Sequence, residues 1–72
     1  MTENILNNII CNNIKRIRTK ETKLRQEDLA RKAGVSRSTI AAIESSRDYY
    51  IGMYTLYKIA NVLNVSVNDL VK

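Results

Sequence analysis

Residues 26–45, QEDLARKAGVSRSTIAAIES, decide the fold. They spell a helix, a sharp turn and a second helix. Ala30 is a small side chain on the inner face of the first helix, where a neighbouring helix must come close. Four residues later Gly34 supplies the backbone freedom, positive φ included, that a tight interhelical turn demands. Val35 follows as a turn hydrophobe, and Ser36 is a good N-cap for the next helix. Ile40 and Ile43 fall three apart and share one buried face.

Outward from this stretch, the apolar spacing predicts an all-α chain, a compact bundle of five helices in a single domain over 1–72. Ile5, Leu6, Ile9, Ile10, Ile14 and Ile17 form a helical stripe, so helix 1 is expected from about Asn4 to Lys20, with an Asn-rich first turn that invites fraying. Helix 2 is expected over Gln26–Ala33, with Leu29, Ala30 and Ala33 inward. Its cap position is Arg25, which cannot accept the first free N–H groups, at a cost of about 1 kcal/mol. Glu27 and Asp28 oppose the helix dipole and offset part of this. Helix 3 is expected over Arg37–Ser45. A loop through Ser46, Arg47, Asp48, Tyr49 and Tyr50 leads to helix 4 over Met53–Leu63, with Leu56, Ile59, Ala60 and Leu63 buried. Asn64 stands where a left-handed residue commonly ends a helix. Ser66 and Asp69 then have capping-box spacing and open a short helix 5.

Composition narrows the function. The chain has 72 residues, no Pro, no His and one Cys. A chain this short buries a small core. Cys11 has no internal disulfide partner, which suits a reducing cytosol. Without His and with one Cys, the usual zinc ligand sets cannot be assembled. No apolar run approaches the roughly 18 residues of a spanning helix, and no signal-peptide pattern opens the chain. The expectation is a soluble cytoplasmic protein with no membrane partner. Catalysis is not expected either: there is no metal constellation, no Gly-rich phosphate loop and no base beside Cys11. No cofactor, metal or small-molecule ligand is anticipated.

Charge is concentrated around the opening stretch. From Lys15 to Arg37 nine basic residues (Lys15, Arg16, Arg18, Lys20, Lys23, Arg25, Arg31, Lys32, Arg37) stand against Glu21, Glu27 and Asp28, a net +6. Residues 38–72 balance to zero, and the whole chain carries +5. A basic surface kept for solubility is one reading. Beside a helix-turn-helix, an electrostatic footprint for nucleic-acid phosphate is the better one.

The residues now in place resemble the lambda-repressor-like DNA-binding domains, the Cro/CI or Xre-type regulators of bacteria and phages. The likeness is carried from Ile14 to Lys72 by Leu24-x-Gln26-x-x-Leu29-Ala30, Ala33-Gly34-Val35-Ser36, Ile40-x-x-Ile43-Glu44 and Leu56-x-x-Ile59-Ala60-x-x-Leu63-x-Val65-x-x-x-x-Leu70. The resemblance implies a homodimer on a palindromic operator in double-stranded DNA, with helix 3 in the major groove. It also implies a partly buried ion pair, Arg18 with Glu44, that ties helix 1 to helix 3. Three departures stand out. The stretch from Arg18 to Leu24 is one residue longer than usual, which leaves Arg16 as an alternative partner for Glu44. Arg25 replaces the customary Ser or Thr cap. The loop after Glu44 carries Tyr49 and Tyr50 in place of the usual Gly and Pro.

Helical angle selects the reading face. At about 100° per residue, Ser38, Ala42 and Ser45 lie about 140–200° from the buried Ile40. With Ala41 on a flank and Arg37 at the helix start, they are the candidate base contacts. Arg37 is the leading one, since bidentate Arg on guanine is the commonest specific contact. The candidate phosphate contacts, suggested by resemblance and position, are Arg25, Gln26, Ser36, Thr39, Ser46, Arg47 and Tyr49. Tyr54, Tyr57, Val67 and Val71 are the candidate dimer surface, with the long helix 1 as the alternative. A five-helix domain that uses the whole chain leaves no room for a sensor, so control through protein amount or an antagonist protein is expected. The leading function is a sequence-specific repressor or autoregulator of transcription. The competing one is a protein-interaction module of the same fold, an antitoxin or antirepressor-binding subunit with secondary DNA binding.

Overall fold

A computed structural model describes residues 3–45 and 49–72. It contains α1 (Glu3–Ile17), a π-helical segment π1 (Arg18–Thr22), α2 (Gln26–Ala33), α3 (Arg37–Ser45), α4 (Met53–Leu63) and α5 (Val67–Leu70). No strand occurs among the described residues. Each α-helix sends at least one fully buried side chain to a common centre: Ile14, Leu29, Ile40 with Ile43, Ile59, and Leu70. Dispersing the core over five short helices is what makes each helix end, and its capping, matter.

Those ends follow the local signals. Gly34 has φ +71, Val35 N–H donates to Ala30 O at 2.9 Å, and Gly34 N–H donates to Arg31 O at 3.3 Å, a Schellman closure of α2. Asn64, φ +60, closes α4 the same way through Val65 N–H to Ala60 O at 3.1 Å. Ser66 Oγ accepts from Asp69 N–H, and Asp69 Oδ2 accepts from Ser66 N–H, so the capping box of α5 is complete. At α2 only the reverse half of such a box exists. Asp28 accepts from the Arg25 backbone N–H at 3.1 Å, and the Arg25 side chain makes no cap bond.

Helix 1 corrects two expectations. It does not run as regular α-helix to Lys20: from Arg18 the coil widens to a π-turn, and Lys23 ends it in the left-handed region at φ +58. A π-turn of this kind takes one residue more than a regular helical turn, which suits the longer stretch expected between Arg18 and Leu24. Thr22 seals the turn, its hydroxyl donating to Arg18 O and accepting from Leu24 N–H. At the other end Ile5 and Leu6 are not part of the buried stripe. They are 50% and 38% exposed, while Asn7 is buried beside Ile10, Cys11 and Ile14. The polar side chain is satisfied there by the backbone of a distant loop, which an apolar stripe cannot reveal. Asn7 Nδ2 donates to Tyr49 O at 2.6 Å, and Asn7 Oδ1 accepts from Ile51 N–H at 3.1 Å. Asn13 Nδ2 makes a similar bond to Leu70 O at 2.8 Å, fastening α1 to α5.

Candidate nucleic-acid interface

The inner face of α3 is fixed first. Ile40 and Ile43 are buried in the common core, and the Glu44 side chain beside them is only 2% exposed. A carboxylate in that position needs partners. Arg18 supplies a two-pronged one, Nε to Oε2 at 2.6 Å and Nη2 to Oε1 at 2.7 Å, from a side chain 11% exposed. The third Arg18 nitrogen, Nη1, donates to Leu24 O at 2.7 Å, and Gln26 Nε2 donates to Glu44 Oε1 at 3.0 Å. Burial pushes the Glu44 carboxyl up, but the hydrogen bonds from Arg18 and Gln26 and the Arg18 charge outweigh it and hold the group below its ordinary value. Glu44 in turn raises the Arg18 guanidinium. Arg16, the alternative partner, lies outside this cluster and pairs with Glu21 at 3.5 Å on the surface.

This cluster joins the end of helix 1, the start of α2 and the end of α3. It sets the angle at which α3 presents its other face. There Arg37, Ser38 and Ser45 are exposed, while Thr39, Ala41 and Ala42 are half-buried. Arg37, Ser38 and Ala41 line a shallow groove of about 180 Å³ with Gln26. No carboxylate among the described residues lies within ion-pair distance of Arg37. Ser45 Oγ donates to Ala41 O at 2.6 Å, so the hydroxyl has only its acceptor capacity left for another partner. At the start of α3 the Ser36 hydroxyl accepts from Thr39 N–H and pairs with the Thr39 hydroxyl at 2.8 Å.

The basic belt is largely outward. Of the nine cations from Lys15 to Arg37, eight are exposed, and Arg18 alone turns in to meet Glu44. Arg25 is exposed but not unengaged: its guanidinium meets Asp28 at 3.0 Å and Glu27 at 3.2 Å. The Asp28 carboxyl is correspondingly lowered by Arg25, through side-chain and backbone hydrogen bonds. Gln26 is half-buried, with its amide nitrogen on Glu44. Tyr49 is half-buried against the core. Ser46 and Arg47 lie outside the described residues.

Among the four residues expected at a dimer surface, Tyr54 and Tyr57 are 76% and 65% exposed, with Lys58 Nζ 4.6 Å from the Tyr54 ring centre. Val67 and Val71 pack partly against their own core. A groove of about 190 Å³ runs between α4 and α5 past Tyr57, Asn61 and Val67. Sequence reasoning missed the buried Asn7 and the bond from Gln26 to Glu44. A signal for the first existed: Asn7 precedes Ile10, Cys11 and Ile14 by three, four and seven residues, the spacing of one helical face. Among the described residues no helix is long and apolar enough to cross a membrane, and no group of three His, Cys, Asp or Glu residues could hold a metal ion.

Two helices joined by a left-handed glycine, the second turning small and basic side chains outward, form the arrangement of a helix-turn-helix domain. Comparison with known proteins agrees. The family model described as helix-turn-helix matches residues 14–70. An uncharacterised HTH-type transcriptional regulator of Methanocaldococcus jannaschii is 47% identical over 47 residues, 65% of this chain and 70% of that one. A second, from Archaeoglobus fulgidus, is 44% identical over 45 residues, 62% of this chain and 63% of its own length. Among solved structures, SinR, a master regulator for biofilm formation crystallised in complex with DNA, is similar at TM-score 0.79 and 36% identity. That match covers 88% of this chain and 98% of the crystallised SinR chain. A hypothetical transcription factor, NHTF from Neisseria, is similar at TM-score 0.83 and 28% identity, covering 97% of this chain and 76% of the other. The chain belongs to the helix-turn-helix family of transcriptional regulators, of the lambda-repressor-like (Cro/CI, Xre) type, and is a DNA-binding regulator rather than an enzyme.

Proposed function

We propose that this regulator binds a palindromic operator as a homodimer, with α3 in the major groove, and acts as a repressor or autoregulator in the cytoplasm. The observation that carries the reading is the exposed Arg37 at the start of α3, without an ion pair among the described residues and lining one groove with Gln26 and Ser38. Arg37 reads a guanine edge, Ser38 and Ser45 meet polar base edges, and Ala41 and Ala42 allow close approach or pack on a thymine methyl. Gln26, Ser36, Thr39, Tyr49, Arg25, Ser46 and Arg47 hold phosphates and set the register. For Gln26 the bond to Glu44 leaves the amide oxygen and a second N–H for other partners. Arg25 must exchange Asp28 and Glu27 for phosphate, which makes its contact the weakest of the set.

One recognition helix spans too few base pairs for useful specificity, and a two-fold pair would place two of them about 34 Å apart, one DNA turn. Tyr54 and Tyr57 are the anchors of that pairing, with Val67 and Val71 completing it beside the groove between α4 and α5. The test is selection of bound duplexes from a random pool at two salt concentrations. An enriched inverted repeat with half-site centres one turn apart is the expected result. Binding without enrichment that collapses with salt is counterion release alone. It would overturn the operator reading in favour of the protein-interaction module. The dimer is tested by sedimentation of the free chain and of Tyr54→Asp with Tyr57→Asp, which is expected to be monomeric.

A further inference from the structure

We propose that Asn7, which precedes the segment matched by the family model, is a positioning residue for DNA binding: it sets Tyr49 for a phosphate. The inference rests on the DNA-binding reading above. Tyr49 comes four residues after α3 ends and three before Gly52, the residue that caps α4. Its ring leans on the core, and no buried side-chain oxygen or nitrogen among the described residues is without a partner. The Tyr49 residue is half-buried, and among the described residues no hydrogen bond engages its hydroxyl. The main chain beneath that ring is held by a side chain, 8% exposed, from the other end of the molecule.

The Asn7 amide serves both sides of Tyr50. Its nitrogen donates to Tyr49 O at 2.6 Å and its oxygen accepts from Ile51 N–H at 3.1 Å, reaching across 42 and 44 residues. Only a planar amide offers a donor and an acceptor side by side for a backbone carbonyl and N–H two residues apart. A loop held in this way keeps its hydroxyl in place before the ligand arrives. The ordering entropy is then not lost at binding.

The experiment is a double-mutant cycle on affinity for a duplex carrying the selected operator. Tyr49→Phe removes the hydroxyl, and Asn7→Ala removes the clamp. Tyr49→Phe is expected to weaken binding roughly tenfold in the wild-type background, the usual worth of a hydrogen bond to a charged group. In the Asn7→Ala background it should weaken binding by less than about twofold, because the hydroxyl is no longer held in place. Asn13→Ala is the control, since Asn13 makes an equivalent bond from the same helix to α5. In that background the Tyr49→Phe loss should remain complete. Equal losses in the Asn7→Ala and wild-type backgrounds, or no loss in the wild type, overturn the inference. If Asn7→Ala does not fold, Asn7→Asp takes its place, keeping size and the acceptor for Ile51 N–H while removing the donor. A wild-type chain that binds no DNA overturns the regulator reading itself, and does so before any variant is made.

Discussion

The two ends of helix 1 hold the α3 side of the molecule by opposite means. At its C-terminal end a buried ion pair, Arg18 on Glu44, ties the helix to α3. At its N-terminal end a neutral amide, Asn7, ties it to the loop after α3. The charged tie carries a large desolvation cost, so it adds little net stability but fixes an orientation firmly. The neutral tie carries a small cost and responds to neither salt nor pH. The molecule places charge where angle matters and an uncharged clamp where a loop has only to stay put.

The most severe way to break the comparison is Glu44→Ala. It strands Arg18 in a nearly closed site and releases Gln26, and should cost about 3 kcal/mol in chemical denaturation. Acid acts reversibly on the same group. The Glu44 carboxyl titrates below its ordinary value in the folded chain, so its contribution is present above about pH 4.5 and is lost as pH falls through the folded value. Asp28 and Asp69 are lowered too and act in the same direction. Melting temperature is therefore expected to hold from pH 7 to about 5 and then fall, and Glu44→Gln should flatten part of that fall. Next in size, Arg37→Ala separates orientation from reading. It should remove about 1–3 kcal/mol of discrimination at one base pair while stability moves by less than about 0.5 kcal/mol.

Smaller effects concern the left-handed residues beside the charged end. Gly34→Ala should cost about 1 kcal/mol, since a Cβ there meets nothing within 4 Å and only the backbone resists. Lys23→Gly, at φ +58 after the π-turn, should gain about 0.5 kcal/mol by the converse argument. Thermal melts of the two variants at neutral pH check both signs.

Helices whose signals are local were legible in the sequence. The bounds of α2, α3 and α4 follow from apolar spacing together with Gly34, Ser36 and Asn64, each acting within one turn. Where the deciding partner is remote, the sequence was opaque. Ile5 and Leu6 continue an apolar stripe, yet they stay 50% and 38% exposed. Asn7 shares by spacing the face of Ile10, Cys11 and Ile14, but the partners that let it be buried lie more than forty residues away and no local signal names them. The choice between Arg16 and Arg18 depended on how the coil ends, which residue type does not encode. On the candidate site, helical angle separated the exposed Ser38 and Ser45 from the buried Ile40 and Ile43. It gave no hint that Gln26 leans on Glu44, since that bond depends on how α2 meets α3.

The π-turn at Arg18–Thr22 bears on how such a chain tolerates a change of length. In a regular helix one added residue swings everything beyond it by about 100°. A π-turn holds one residue more than a regular turn, so a residue added here need not swing the chain that leaves toward α2. A joint of this kind can take up a change of length while the Arg18–Glu44 tie keeps the angle of α3, which makes it a hinge in sequence space and a rigid elbow in the molecule.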